Sequence, residues 1–224
     1  DNIVAKRGAL FMIDLKYAVQ EKGIVVAHIK TDSIKIPNAT PEIISFVFEF
    51  GKKYGYEFEH EATYSRFCLV NDAVYIAKYK EGKKAGQWSA TGAQFAHPFV
   101  FKSLFSKEPI EFSDLCEDKS VTGKSALYLD MNEGLPEGEH NYQFVGRVGL
   151  FCPVESGTGG GLLMREKEGK YYAATGTKGY RWLEAEVVKD LGISDQIDTS
   201  YHEVLVDEAV KHISKFGDFD KFVS

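Results

Sequence analysis

The chain has 224 residues, 44% of them hydrophobic, and a formal net charge of −6. That length suits one large domain or two small ones with a real core, and no apolar run approaches the ~20 residues that a membrane-spanning helix needs. An acidic total speaks against a uniformly basic nucleic-acid surface. Yet basic residues cluster at Lys78, Lys80, Lys83 and Lys84, and again at Lys167, Lys170, Lys178 and Arg181, and local fields rather than the total steer a polyanion.

In chain order, Arg7–Glu21 carries Leu10, Phe11, Ile13, Leu15, Tyr17 and Ala18 and predicts a helix able to pack on a sheet. Asp14 interrupts that run and is expected to face solvent, and Gly23 is a left-handed cap. Residues 24–29 and 33–36 are rich in Ile and Val and predict a hairpin around Lys30-Thr31-Asp32. His28 lies among apolar strand residues and reads as a core side chain. Thr40 and Pro41 open a helix over Glu42–Tyr54, apolar at Ile43, Ile44, Phe46, Val47 and Phe50. Tyr56–Lys80 alternates as two or three strands, with Asn71-Asp72 as a turn, and 81–86 is an exposed loop.

A second region begins at His97-Pro98 with a short helix over Phe99–Phe105 and continues through Asp114–Glu117. Strands are expected at Tyr142–Val148, Leu150–Val154, Leu162–Glu166 and Tyr171–Thr175, with Gly157–Gly161 as a flexible loop. Helices over Tyr180–Leu191 and Tyr201–Lys215 follow, the latter with Asp198 or Thr199 as its cap. The fold class is therefore α+β, in two regions, 1–96 and 97–224. Cys68, Cys116 and Cys152 are sparse and unpaired in spacing, which suits buried thiols in a reducing cytoplasm and excludes a cysteine-built zinc site. The first residue is Asp rather than Met and no signal-peptide layout follows, so a trimmed start is expected.

The chemistry concentrates at the hairpin. Phosphoryl transfer from a nucleoside triphosphate uses two magnesium ions that align attacking and leaving oxygens. Magnesium takes hard oxygen ligands, a few of them carboxylates, held on rigid backbone. Asp32 at a hairpin tip meets that need, although Thr31-Asp32-Ser33 also reads as an ordinary polar turn. The string Lys30-Thr31-Asp32-Ser33 is followed in order by a helix, by Glu59-His60-Glu61-Ala62-Thr63-Tyr64, and by Asn71-Asp72-Ala73-Val74-Tyr75. This order resembles the end of the palm of family B DNA polymerases, whose motif is Asp-Thr-Asp-Ser between two strands.

The resemblance implies that Asp32 is the second acid of that motif, a catalytic metal ligand, and that Glu61 is a second-tier acid at the metal. The alternative for Glu61, as for Glu57, is a solvated strand face. Lys30 stands where the family has its first acid, and Asp72, Ala73 and Val74 stand where it has basic residues ahead of the retained Tyr75. The template and primer contacts would then pass to Tyr75, Lys78 and Lys80. The strings Tyr142-Gln143-Phe144-Val145-Gly146-Arg147 and Thr175-Gly176-Thr177-Lys178-Gly179-Tyr180-Arg181-Trp182 resemble the C-terminal part of the polymerases of bacterial viruses. They imply a thumb-like region of mixed α/β content that grips duplex DNA through Arg147, Lys178 and Arg181, with Tyr180 and Trp182 as flat surfaces. A glycine-rich segment before a helix would favour a phosphate there; a turn with core aromatics is the alternative.

The resemblance spans essentially the whole chain but roughly the last third of a polymerase. The companion palm aspartate and the fingers lysine lie outside it. The expectation is thus a polymerase fragment, inactive alone, that joins an N-terminal polymerase fragment to act on primer–template DNA and deoxynucleoside triphosphates with Mg2+. A palm-like module that binds DNA or a partner without catalysis is the competing reading. An unrelated small-molecule enzyme lacks support, because no catalytic-triad order, dinucleotide glycine pattern or zinc spacing occurs.

Overall fold

A computed structural model describes residues 2–224. The chain divides into two compact units, one ending at Ser89 and the other beginning at Ala90, a few residues before the expected boundary at 96/97. The architecture is α+β, with seven α-helices among the described residues and sheets built on antiparallel pairs.

In the first unit, helix α1 (Ile3–Glu21) starts four residues earlier than expected, because the Asn2 side chain accepts the Ala5 N–H at 3.2 Å and caps it. Gly23 takes φ 78° just past its end, where only glycine is unstrained. Phe11, Met12, Leu15 and Val19 are buried, whereas Leu10, Ile13 and Tyr17 are 63%, 44% and 55% exposed, so one of two apolar stripes is covered. Asp14 is exposed.

The hairpin is shorter than its apolar content suggests. Strands β1 (His28–Ile29) and β2 (Ile34–Lys35) pair His28 with Lys35 and Ile29 with Ile34. Helix α2 (Pro41–Lys53) is capped by Thr40, whose Oγ1 accepts the Ile43 N–H at 3.3 Å. Together with Ile43 and Val47, the buried face of α1 forms one core, against which Ile29, Ile34, Tyr56 and Phe58 pack. Strands β3 (Tyr64–Asn71), β4 (Val74–Tyr79) and β5 (Trp88–Thr91, whose last two residues are counted with the second unit) form a three-stranded sheet. Its first turn is at Asp72-Ala73, with the Asn71 side chain accepting the Ala73 N–H at 3.0 Å. Residues 56–63, expected as strand, form no ladder.

The second unit opens with α3 (Ala93–Ala96) and α4 (Pro98–Phe101); the latter continues as a π-turn over Lys102–Ser106, where one helix had been expected. A 3-10 turn (Phe112–Leu115) leads to β6 (Glu117–Ser120) and β7 (Ala126–Asp130), two strands the sequence pattern did not reveal. Next come β8 (Tyr142–Gly146), β9 (Val148–Val154), β10 (Leu162–Lys167), β11 (Lys170–Ala173) and β12 (Arg181–Glu184). They form sheets ordered β11-β10-β7-β8 and β12-β9-β6. Helices α5 (Ala185–Asp190), α6 (Ser200–Ser214) and α7 (Phe219–Val223) close the chain. Thr199 is the cap residue of α6, while the Asp198 carboxylate accepts the Ser200 N–H at 3.1 Å.

Two expectations are corrected here. The helix expected over 180–191 is a strand followed by a six-residue helix, because Arg181–Glu184 pairs with Val154–Phe151 and buries Trp182 and Leu183 in two adjoining cores. The 157–161 stretch is not wholly a flexible loop. Gly160 and Gly161 are buried, and Gly161 and Trp182 exchange backbone bonds at 2.9 and 2.7 Å. A Cβ on Gly161 would meet Met131 Sδ at 2.7 Å and the Asp130 carbonyl oxygen at 2.9 Å. The three thiols are buried and free, and Cys116 and Cys152 lie with their sulfurs 2.9 Å apart.

Gly161→Ala is expected to destabilise the second unit by about 1–3 kcal/mol through overpacking. Gly8→Ala, in mid-helix with nothing near its Cβ position, is expected to stabilise by up to about 1 kcal/mol. Urea denaturation of the two variants checks both signs.

Candidate functional site

The Lys30 N–H donates to the Ser33 carbonyl at 2.9 Å, which leaves Thr31 and Asp32 as a two-residue loop continuing the β1–β2 register. Both loop residues are exposed, and Lys30 and Ser33 are half-buried. The backbone pairing therefore fixes Asp32 at the tip. Its carboxylate has no hydrogen bond or ion pair among the described residues.

Asp32 faces a cleft of about 520 Å³ whose floor is Gly8, Phe11 and Met12 of α1. The far wall is the extended segment after α2. Tyr56 and Phe58 of that segment pack into the core, with the Tyr56 ring stacked on Phe11 at 4.3 Å. Alternation then sends Glu57 and Glu59 outward, Glu61 follows the exposed His60, and all three glutamates line the cleft with Asp32 and Thr31. Asp32 and Glu61 thus line one depression, together with Glu57 and Glu59. Burial, with Tyr79, Tyr75 and Glu61 nearby, pushes the Tyr64 hydroxyl up to about 12, so it stays a neutral donor.

Tyr75 lies on β4 among cations. Lys30 Nζ is 5.9 Å and Lys35 Nζ 5.1 Å from its ring centroid, both at cation–π range. The hairpin's first motif position is thereby turned toward the β3–β4 sheet. Lys78 Nζ lies 5.3 Å from the Trp88 ring, and Lys80 sits exposed just past the end of β4. His28 is buried, 4% exposed, beneath the same Tyr75, and neither ring nitrogen has a hydrogen-bond partner.

In the second unit the three expected DNA-binding cations differ in availability. Lys178 is exposed. Arg147 is exposed but donates to the Gly123 carbonyl at 2.5 Å. Arg181 is occupied internally: it donates to the Gly160 carbonyl at 3.0 Å and to Asn132 Oδ1 at 3.1 and 3.2 Å, and lies 3.7 Å from Glu133. Trp182 is fully buried with its indole N–H on the Thr177 carbonyl, and so presents no flat surface. The 175–179 segment runs into a strand, so no helix N-terminus stands behind it.

Aromatic surface lies elsewhere, on the outer face of β11-β10-β7-β8. There Tyr142 and Tyr171 stack at 3.6 Å, and Tyr128 meets both Tyr171 and Phe144 edge-on. Phe144 is 64% exposed. The two-residue periods of β8, β10 and β11 were readable, but β7, which carries Tyr128, and the pairing across the sheet were not. Sequence reading also missed a polar cluster formed by the half-buried His97 and Glu117 and the buried His202, because their separations match no local ligand spacing. No helix among the described residues is long and apolar enough to cross a membrane. No family model matches the chain, and no curated protein matches it.

Burial, with Lys35 and Lys30 adding repulsion against a weak pull from Asp72, holds the His28 ring below its ordinary pKa of 6.5. Above pH 6.5 the ring is neutral whether folded or unfolded, and its stability contribution is complete. As pH falls through 6.5 the unfolded chain takes the proton first, so stability is lost. The loss is at most about 1.4 kcal/mol per pH unit, and His28→Leu should flatten it. Urea midpoints of the first unit measured between pH 7.5 and pH 5 check this.

Proposed function

We propose that these residues are the end of the palm and the thumb-like region of a family B DNA polymerase of the bacterial-virus type, with Asp32 as a ligand of the catalytic Mg2+. The observation that carries the reading is the placement of Asp32. It is exposed at a backbone-fixed hairpin tip and opens on a cleft lined by Glu57, Glu59 and Glu61. A burial of that carboxylate would have ended the reading.

The donor set fits magnesium. All four side chains are hard oxygen donors, and none is engaged by a protein cation among the described residues. No three of their oxygens gather within 4.8 Å as a closed cage. Magnesium at such sites keeps waters and substrate phosphates and takes only one or two carboxylates. Asp32 and Glu61 would hold it, the first directly and the second at the cleft wall. When bound, the metal supplies charge neutralisation and alignment for nucleotidyl transfer. What the chain itself does is hold the acid in place, keep Tyr56 and Phe58 beneath the glutamates, and aim Lys30 and Lys35 at Tyr75.

The first palm aspartate that the reaction needs is not among these motifs, so nucleotide addition depends on an N-terminal polymerase fragment. The exposed stripe Leu10, Ile13 and Tyr17 on α1 supports such a partner, since apolar patches of this kind mark interaction surfaces. Primer–template DNA would be held through Tyr75, Lys78 and Lys80 in the first unit and Lys178 in the second. Arg147 and Arg181 contribute less than the sequence suggested, because both already bond within the protein. A cytoplasmic setting follows from this reading rather than from the fold.

A non-catalytic palm-like module that binds DNA or a partner is the second reading. One observation favours it: Lys30, at the position of the first motif acid, is held beside the Tyr75 ring rather than at Asp32.

The chain alone, with Mg2+ and all four deoxynucleoside triphosphates, is expected to give no primer extension. Joined to a fragment carrying the first palm aspartate and the fingers, it should extend, and Asp32→Ala should cut the rate by roughly 10³-fold or more while leaving DNA binding in place. Extension that survives Asp32→Ala sinks the metal role. DNA binding without extension in any combination selects the non-catalytic module.

A further inference from the structure

The second unit holds a polar cluster that the proposed function does not use. His97 lies at the start of α4, Glu117 is the first residue of β6, and His202 sits in the first turn of α6. One ligand atom from each lies within 4.8 Å of the others. The cluster is enclosed: the His97 and Glu117 side chains are each 14% exposed and His202 is 0% exposed.

The hydrogen bonds define what each ring offers. His202 Nε2 lies 3.1 Å from the Leu115 carbonyl oxygen, which can only accept, so this nitrogen carries the proton. Nδ1 of the neutral ring is then a buried lone pair, and it has no donor. The ring is held in place by Phe99 at 4.9 Å and Tyr201 at 5.1 Å. His97 Nε2 and Glu117 Oε1 share one hydrogen bond. The neighbouring acids are already committed: Asp114 to Lys102 at 2.9 Å, and Asp198 to the Ser200 N–H at 3.1 Å.

We propose that His97, Glu117 and His202 bind one divalent cation of the zinc class. Two imidazoles and one carboxylate are a borderline donor set, suited to zinc rather than to magnesium or calcium. A ring whose second nitrogen is fixed by a backbone carbonyl is the usual arrangement of a metal-bound histidine. The cation takes the place of the hydrogen bond between His97 and Glu117: His97 binds through Nε2 as the neutral tautomer with its proton on Nδ1, and Glu117 binds as the carboxylate. The cation satisfies the orphaned Nδ1 of His202, and a water completes the fourth position. The site ties together three segments far apart in sequence, so its occupancy adds to the stability of the second unit. It is independent of the Asp32 site and of the polymerase reading.

The test is Zn2+ and Co2+ titration of the full chain after chelator treatment and dialysis. Expected are one tightly held Zn2+ per chain, a Co2+ visible absorption of low-coordinate intensity that Zn2+ abolishes, and a melting temperature of the second unit raised by roughly 5–10 °C at a hundredfold excess over Kd. Glu117→Gln and His202→Asn should each weaken binding by about 100-fold or more. If His202→Asn fails to fold by circular dichroism, Glu117→Gln, at the edge of the cluster, decides. Absence of stoichiometric metal, or wild-type affinity in folded Glu117→Gln, overturns the proposal and leaves a hydrogen-bonded histidine–glutamate cluster.

Discussion

The seating of α1 on the hairpin and α2 is the constraint from which the first unit follows. Phe11, Met12, Leu15 and Val19 go into one core with Ile43 and Val47, and burial of such side chains stabilises by roughly 1.5–3 kcal/mol each. The same helix then supplies the floor of the acidic cleft through Gly8, Phe11 and Met12. Phe11 stands at the junction: its ring meets Phe50, Tyr54, Tyr56 and Phe58 within 6.0 Å. Those aromatic contacts anchor the segment that carries the glutamates, so the cleft geometry is a consequence of core packing.

The acids are arranged without a ladder of their own. Residues 56–63 form no strand, yet 56–59 alternate as if they did, because Tyr56 and Phe58 are pulled inward by the core; beyond them His60 and Glu61 are both exposed. Asp32 is positioned differently, by a two-residue loop closed through the Lys30–Ser33 hydrogen bond. One wall of the cleft is thus set by side-chain packing and the other by backbone pairing. Lys30 adds a local asymmetry. It replaces an acid in the resembled motif, and its ammonium group lies beside Tyr75, on the sheet rather than over the cleft.

The second unit is organised around the β9–β12 pairing and Trp182. The absence of a side chain at Gly160 and Gly161 lets the chain run against Trp182, and the strand that results consumes Arg181 in contacts to Gly160 and Asn132. A phosphate grip at 175–179 needed a helix immediately after it, and strand pairing removed that possibility. The flat aromatic surface that such a grip would use is instead on the outer face of the other sheet, where Tyr142, Tyr171, Tyr128 and Phe144 meet. The unit also gathers two half-buried side chains, His97 and Glu117, around the buried His202.

Local chemistry was legible from the residues alone. Gly23 and Thr40 with Pro41 marked the C-terminal end of α1 and the start of α2, and Asn71 with Asp72 marked the β3–β4 turn to within one residue, because caps and turns depend on a few neighbouring side chains. The tip position of Asp32 was legible for the same reason. Long-range pairing was not. Trp182 and Leu183 suit a helix or a strand by composition, and only the partner Cys152–Pro153 decided for a strand. Leu10, Ile13 and Tyr17 looked like core, but the helix had a single apolar partner face, and geometry chose Phe11, Met12 and Leu15 for it. The convergence of His97, Glu117 and His202 belongs wholly to the tertiary fold, since no periodicity links residues brought together by a helix start, a strand start and a distant helix.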